Sequence, residues 1–284
     1  MVQSVRFAGV WIALAMIAVV VIAVGVQSPE AAPLSQGLFS TRDYRVPSLP
    51  AVWPWSSIGR VNVTRGTGAR SHCTGTLVGP RHVLTAAHCL FNPLQNSWSN
   101  PTQVNFVAGQ SGDGRFGGSS VAVALKINPV FYREIGARAR WDNAPLNTVQ
   151  HDWAIVVLGN SINLKPIPVR GIHDADLPNA TEPGEIARAG YPMDRPFALS
   201  IHRVCSAQTD HPQRDALVHQ CNFKQGDSGS PILLLNEMEA NVVGIATASL
   251  TAFAPGTNRR TLEAYGVSAT AFANMVAATV GRVQ

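Results

Sequence analysis

The octapeptide Lys-Gln-Gly-Asp-Ser-Gly-Ser-Pro at residues 224–231 decides how the rest of this 284-residue sequence is interpreted. A serine between glycines is typical of a turn that presents a hydroxyl beside exposed backbone amides. Glycine reaches backbone conformations that other residues avoid, so the amides of Gly226 and Ser228 can point at one spot. Such a spot can hold an oxyanion, and the stretch therefore predicts acyl-transfer chemistry with Ser228 as the nucleophile.

A serine hydroxyl is a weak nucleophile by itself, so this prediction requires a histidine as base and a carboxylate to orient it. The segment Thr-Ala-Ala-His-Cys at 85–89 supplies His88, and His-Asp-Trp-Ala-Ile-Val-Val-Leu at 151–158 supplies Asp152. Asp142 also lies between base and nucleophile, but it sits among turn formers, whereas Asp152 opens an apolar strand. The neighbouring histidines are interpreted as surface or loop residues: His72, His82 and His151.

The three segments, in the order His, Asp, Ser, resemble those of the trypsin-like (chymotrypsin-fold) serine proteases. The resemblance implies that His88 is the general base, Asp152 its orienting carboxylate and Ser228 the nucleophile. It also implies an oxyanion hole made by the amides of Gly226 and Ser228, a protein or peptide substrate, and no need for a cofactor or metal. An α/β-hydrolase runs Ser, acid, His and has a glycine where Ser230 stands, so that fold is disfavoured.

Short apolar or alternating runs separated by turn residues recur along the chain and predict an all-β fold. The predicted strands are 58–63, 73–78, 82–85, 104–107, 121–127, 153–158, 185–189, 199–204, 231–235, 241–247 and 262–267. The resemblance implies two six-stranded antiparallel β-barrels, with base and carboxylate on the first and nucleophile on the second. Phe272 and Val276 follow Ser268 at helical spacing, which predicts a C-terminal α-helix over 268–280. The stretch 130–150, which lies between the predicted strands 121–127 and 153–158, is expected to be a surface loop.

Substrate preference depends on residues that the resemblance places around the specificity pocket. The residue six positions before the nucleophile is Asn222, whereas cleavage after Lys or Arg would require an aspartate there. The wall strand contributes Thr247 and Ser249, and Ala246 stands where glutamyl endopeptidases carry a histidine. Both departures argue against a preference for basic residues and for Glu.

The first 50 residues precede the predicted domain. Residues 7–26 form an uncharged apolar run, which is typical of a cleaved export signal or of a single helical membrane anchor. Residues 27–50 are rich in Pro, Ala, Ser and Gly and are interpreted as a linker or propeptide. The protease domain is expected over 51–284, and the segment Asp-Tyr-Arg at 43–45 is similar to the start of mature bacterial glutamyl endopeptidases. Whether residues 7–26 are cleaved or remain as an anchor, the domain is expected outside the cytoplasm, secreted or periplasmic.

Animal trypsins begin with an Ile-Val-Gly-Gly-type sequence that cleavage frees, and the new amine pairs with the aspartate that matches Asp227. No such start is visible in this sequence, so that activation step is not predicted.

Charge patterning limits the possible partners. The formal net charge is +5, but the cationic residues are scattered and form no stripe interleaved with aromatics, which argues against nucleic-acid binding. Contact with a membrane is expected only through residues 7–26, and the protein is expected to be a monomer.

The four cysteines permit three disulfide pairings. The family resemblance favours Cys73 with Cys89, which leaves Cys205 with Cys221, and an oxidising compartment outside the cytoplasm would maintain both bonds. Two other functions stay open. The adjacent pairs His72-Cys73 and His88-Cys89 could ligate zinc, although finger-like spacing is lacking. The chain could also be a catalytically silent protease-fold binding protein.

Overall fold

A computed structural model of the chain describes residues 43–65, 68–136, 146–172, 185–211, 214–253 and 260–281. Its strands are β1 (Val46–Ser48), β2 (Ile58–Thr64), β3 (Arg70–Gly79), β4 (His82–Thr85), β5 (Phe91–Asn92), β6 (Ser97–Trp98), β7 (Val104–Ala108), β8 (Gly118–Ile127), β9 (Ala154–Leu158), β10 (Glu185–Gly190), β11 (Leu199–Cys205), β12 (Ala207–His211), β13 (Arg214–His219), β14 (Pro231–Leu235), β15 (Ala240–Phe253) and β16 (Arg260–Ser268). Its helices are α1 (Pro129–Gly136), α2 (Leu146–Val149) and α3 (Ala273–Val280). The all-β class is therefore confirmed.

The first half of the fold is a closed barrel of six strands in the order β2-β3-β4-β9-β8-β7. Strand β7 shows why the sequence closes in this way, because Val104, Phe106 and Ala108 are buried while the residues between them are half-buried. This period-two alternation sends one face of the strand into the barrel core. The predicted first barrel is present, with β4 and β9 as neighbours.

The second half is an eight-stranded antiparallel sheet in the order β1-β11-β10-β14-β15-β16-β13-β12. The resemblance implied a closed barrel of six strands. In the described part of the chain the sheet instead has eight strands, and its two edge strands, β1 and β12, do not pair with each other to close it. Strand β1 is short and contains Pro47, which suits a sheet edge because proline limits further pairing.

The two halves share a hydrophobic core. One cluster of buried side chains contains Leu84 and Ile155 from the barrel, Leu233 from the second sheet and Phe272 beside α3. The ring of Phe272 lies 6.1 Å from that of Trp153. The predicted C-terminal helix is thus present as α3, which follows a short 3-10 turn over Ala269–Ala271.

The sequence-based prediction of a loop over 130–150 was wrong at both ends, because α1 occupies Pro129–Gly136 and α2 occupies Leu146–Val149. The side-chain oxygen of Asn128 accepts hydrogen bonds from the amides of Val130 and Phe131, at 2.8 and 3.2 Å, and thereby caps the helix. Phe131 and Ile135 are fully buried on one face.

Within the described residues, no helix is long and apolar enough to cross a membrane. The predicted signal or anchor at 7–26 lies outside them. Residues 46–48, which belong to the stretch interpreted as a linker or propeptide, form β1 and pair with Leu199–Ile201 of β11. The folded part of the chain therefore begins before residue 51.

Candidate active site

Two paired barrel strands bring the predicted base and carboxylate together. Strand β4 ends at Thr85, β9 begins at Ala154, and these two residues are direct partners in the antiparallel ladder. His88 follows β4 in a 3-10 turn over Ala87–Leu90, and Asp152 lies two residues before the start of β9. The side chains thus meet because the strands on which they depend run side by side.

Two hydrogen bonds connect His88 to Asp152. The Nδ1 atom of His88 lies 2.7 Å from Oδ2 of Asp152, and the backbone amide of His88 donates to Oδ1 at 2.8 Å. The Asp152 side chain is fully buried, whereas that of His88 retains 17% exposure. A carboxylate bonded in this way favours the tautomer with the proton on Nδ1, which leaves Nε2 as the nitrogen that can accept a proton.

Ser228 comes from the other half of the fold, in the turn between β13 and β14. Its carbonyl oxygen accepts a hydrogen bond from the amide of Thr74 on β3, at 2.9 Å. The sulfur of Cys89 lies 3.9 Å from that carbonyl oxygen and 3.8 Å from Nε2 of His88. All three predicted residues are therefore close together where the barrel meets the second sheet.

The backbone of the turn holds two amides in fixed directions. The carbonyl of Gln225 accepts a hydrogen bond from the amide of Met193 at 2.7 Å, and the carbonyl of Asp227 accepts one from Ser230 at 2.8 Å. In a planar trans peptide the N–H points away from the C=O. The N–H of Gly226 therefore points away from the Gln225 carbonyl, and the N–H of Ser228 points away from the Asp227 carbonyl. In the described part of the chain, neither of these two amides donates a hydrogen bond.

Thr74 holds the other two carbonyls of the turn. Its hydroxyl donates to the carbonyl of Gly226 at 2.9 Å, and its amide binds the carbonyl of Ser228. The same hydroxyl accepts from the amide of Tyr191 at 2.9 Å, and the side chain is fully buried. Sequence reasoning missed Thr74, because nothing in the sequence indicates which strand residue faces the turn.

The turn also requires glycine at position 226. Its φ of +93° lies in the left-handed region, and a Cβ there would stand 2.6 Å from the carbonyl oxygen of Tyr191. A larger residue would therefore displace the amide that the sequence assigns to the oxyanion hole.

Comparison with known proteins shows which family the chain belongs to. Residues 73–245 match a protein-family model described as a trypsin-like peptidase domain, which covers more than half of the chain. The chain belongs to the trypsin-like peptidase family. Bovine (Bos taurus) chymotrypsin-C is 37% identical over 217 residues, which cover 65% of this chain and 69% of that protein. Serine protease 23 from Bos taurus is 29% identical over 186 residues, which cover 61% of this chain and 48% of that protein.

This trypsin-like peptidase thus spans about half the length of serine protease 23. A solved structure of a Glu endopeptidase in complex with MPD superimposes with a TM-score of 0.62 and 19% identity, covering 87% of this chain and 100% of that one. The superposition, together with the family match, confirms the chymotrypsin-like fold. The family match and the similarity to chymotrypsin-C and serine protease 23 support assignment of the peptidase to the serine endopeptidases, a class of hydrolases.

A buried ion pair holds Asp227, the residue before Ser228 in the turn. Asp227 Oδ1 lies 2.7 Å from Nη1 of Arg188 on β10, and neither side chain has any exposed surface. The other carboxylate oxygen accepts from the amide of Lys224 at 2.9 Å. Burial raises the pKa of Asp227, and the positive charge of Arg188 opposes that shift. Asp227, which the resemblance matches to the aspartate that pairs with the freed amine in animal trypsins, is thus paired here with a cation from inside the fold.

Two of the residues expected at the specificity pocket are hydrogen-bonded to the backbone of other segments. The side-chain oxygen of Asn222 accepts a hydrogen bond from the amide of Tyr44 at 2.8 Å, so the N-terminal segment covers one of its polar atoms. Thr247 is buried, and its hydroxyl donates to the carbonyl of Tyr265 at 3.4 Å. Ser249 lies on β15 opposite Ala264, and its side chain is outside the described residues.

The remaining predicted residues have mixed outcomes. Asp142 lies outside the described residues. His72 and His82 were expected on the surface or in loops, but they lie on β3 and β4, and His82 is buried. The side chains of His82 and of Val280 in α3 both lie next to Gly79. His151 is half-buried in the turn before β9.

The four cysteines form the two expected disulfides, Cys73–Cys89 and Cys205–Cys221. The first bond ties β3 to the turn that carries His88. The same two sulfurs and His88 are close enough to suggest a metal site. However, zinc requires thiolate ligands, and both sulfurs are bonded to each other while Nδ1 of His88 binds Asp152. These residues do not fit the alternative of a zinc-binding module.

Proposed function

We propose that this trypsin-like peptidase hydrolyses peptide bonds through a His88–Asp152–Ser228 triad and an acyl-enzyme intermediate. The observation that carries the proposal is the paired hydrogen bonding of Asp152 to His88, beside a turn in which the carbonyls that precede the amides of Gly226 and Ser228 are both held by hydrogen bonds. A binding protein that had lost catalysis would have no need for both features.

In the proposed reaction, the hydroxyl oxygen of Ser228 attacks the carbonyl carbon of the substrate while Nε2 of His88 takes its proton. The amides of Gly226 and Ser228 stabilise the negative oxygen of the tetrahedral intermediate, and Asp152 stabilises the imidazolium. His88 then gives the proton to the leaving amine. Water, activated by the same base, hydrolyses the acyl-enzyme and releases the second product.

We further propose that the substrate residue before the cleaved bond is neither basic nor Glu. Asn222 is uncharged and hydrogen-bonded to Tyr44, and Ala246 offers no hydrogen-bond donor to a carboxylate. The pocket residues Thr247 and Ser249 complete the proposed wall. The whole protein is proposed to act outside the cytoplasm as a monomer, with residues 1–26 as signal or anchor, and the disulfides suit that compartment.

A fluorophosphonate probe on the full-length exported protein tests the activity, because it reacts with activated serines. Wild-type protein is expected to be labelled once and to hydrolyse an activated ester and casein. Ser228→Ala and His88→Ala are expected to lose both, with turnover reduced about 10⁶-fold as when other serine proteases lose either residue. Wild-type protein that is folded, disulfide-bonded and unlabelled would instead support the silent binding protein.

A further inference from the structure

The segment before the predicted domain is bound next to the candidate active site. Residues 43–48, which we call the N-terminal brace, include β1 and its pairing with β11. The ring of Tyr44 stacks on His202 at 5.5 Å, and its amide binds Asn222. The brace is therefore part of the folded structure on the side that carries residues 222–228.

Arg45 is the central residue of the brace. Its side chain has no exposed surface and lies between two carboxylates. It donates to Asp43 from Nε at 2.9 Å and from Nη2 at 2.7 Å, and to Asp194 from Nη1 at 3.1 Å and from Nη2 at 2.8 Å. Charge-assisted bonds of this paired kind fix both distance and direction, which a lysine cannot reproduce. Arg45 therefore holds Asp194 in one place.

Asp194 connects the brace to the turn that bears the nucleophile. Its Oδ2 atom also accepts a hydrogen bond from Nζ of Lys224 at 2.8 Å. The residue before it, Met193, donates its amide to the carbonyl of Gln225. The contact of Asp194 holds Lys224, and the contact of Met193 holds the next residue, Gln225. Because the Gln225 carbonyl is held, the direction of the amide of Gly226 is fixed.

We propose that Arg45 is a positioning residue for the oxyanion hole, acting through Asp194, and that the N-terminal brace is part of the active site's support rather than a removable linker. The inference rests on the proposed function. Asp43 and Asp194 keep 37% and 38% of their side-chain surface exposed, so water can solvate them when Arg45 is lost. Loss of Arg45 is therefore expected to loosen the Gln225–Gly226 peptide more than it destabilises the fold.

A cut after Arg45 would separate the guanidinium from strand β1, which anchors the brace to the sheet. Processing of the exported chain is consequently expected to spare residues 43–48. Sequencing of the mature N-terminus is expected to place it at or before Asp43.

The decisive experiment compares Arg45→Met with Arg203→Met in the full-length exported protein. Arg203 also forms a two-bond pair, with Glu185 at 2.7 and 3.1 Å, but on an exposed part of β11, so it is a matched control. The measurements are kcat and KM on an activated ester, the rate of fluorophosphonate labelling, and thermal unfolding. Loss of a whole oxyanion donor lowers turnover about 10²–10³-fold, so a loosened donor is expected to lower kcat about 10-fold.

Arg45→Met is expected to lower kcat and the labelling rate together while KM changes less than about twofold, and Arg203→Met is expected to match wild type. A purely structural role would instead lower the active fraction and leave kcat per active molecule unchanged. If Arg45→Met does not fold, Asp194→Asn weakens the same connection and is expected to lower kcat in the same way. If Arg45→Met and Asp194→Asn are labelled at the wild-type rate and keep the wild-type kcat, this inference alone is overturned. If the wild-type protein is not labelled, the proposed function is overturned.

Discussion

The buried pair between Arg188 and Asp227 offers a quantitative test of how the turn is supported. The substitution Arg188→Met removes the guanidinium and keeps much of the side-chain volume. Neither side chain of the pair is exposed, so Asp227 would remain buried next to Ser228 without its ion-pair partner. Breaking a buried pair from one side costs about 3–5 kcal/mol of unfolding free energy. For a domain of this size, that loss lowers Tm by about 6–20 °C.

Denaturant and thermal unfolding of the full-length protein, followed by tryptophan fluorescence, measure this loss. The double variant Arg188→Met/Asp227→Asn removes the charge on both sides and is expected to recover most of the stability. Arg203→Met, which breaks an exposed pair, is expected to cost at most about 1 kcal/mol. The reasoning is refuted if Arg188→Met stays within that same range, or if the double variant is less stable than the single one.

The same variant has an expected pH dependence. Without Arg188, the effect of burial is opposed only by the hydrogen bond from the Lys224 amide and by the charge of Arg45, so the pKa of Asp227 rises further above its ordinary value of 3.8. A carboxyl whose pKa is raised by folding favours the folded state in its protonated form, so the destabilisation is small below pH 3.8 and grows as the pH rises. The stability gap between variant and wild type is therefore expected to widen from about pH 3.5 to pH 7.

Three further outcomes are expected. Thr74→Val should lower kcat about 10-fold or more with little change in KM, because one carbonyl of the turn loses its donor, and Thr74→Ser should restore most of the turnover measured on an activated ester. Replacing both Cys73 and Cys89 by Ala should cost about 3 kcal/mol in chemical denaturation, and retention of wild-type stability would show that the bond constrains little. Hydrogen bonds from Arg45 lower the pKa of Asp43 from 3.8 to about 2. The N-terminal brace should therefore stay protected from amide hydrogen exchange above about pH 4 and be released as the pH falls towards 2. Early exchange at neutral pH would contradict this.

Much of the fold follows from local sequence patterns. Strands β4 and β14 begin and end where the apolar runs at 82–85 and 231–235 predict. These runs are short, apolar and bounded by turn residues, so tertiary packing had little to alter. Helix α1 had a readable signal that sequence reasoning overlooked, since Asn128 and Pro129 form a helix start and two buried residues follow at helical spacing.

The supports of the candidate site are less accessible from sequence. Arg45 and Asp194 are 149 positions apart, and only the folded chain brings them together. Arg188 carries a weak signal, because it is the one charged residue among Ile, Ala and Gly after Glu185 in the strand at 185–190, and it must have a partner if that part of the strand is buried. The sequence does not identify that partner. The His88, Asp152 and Ser228 segments were recognisable because each lies in a distinctive local motif.

A crystal structure of the full-length protein after reaction with the fluorophosphonate probe tests the central claim most directly. We predict a covalent bond between phosphorus and the hydroxyl oxygen of Ser228, with the phosphoryl oxygen within hydrogen-bond distance of the amides of Gly226 and Ser228 and Nδ1 of His88 still bonded to Asp152. An adduct on another residue, or a phosphoryl oxygen directed away from those two amides, would contradict the account.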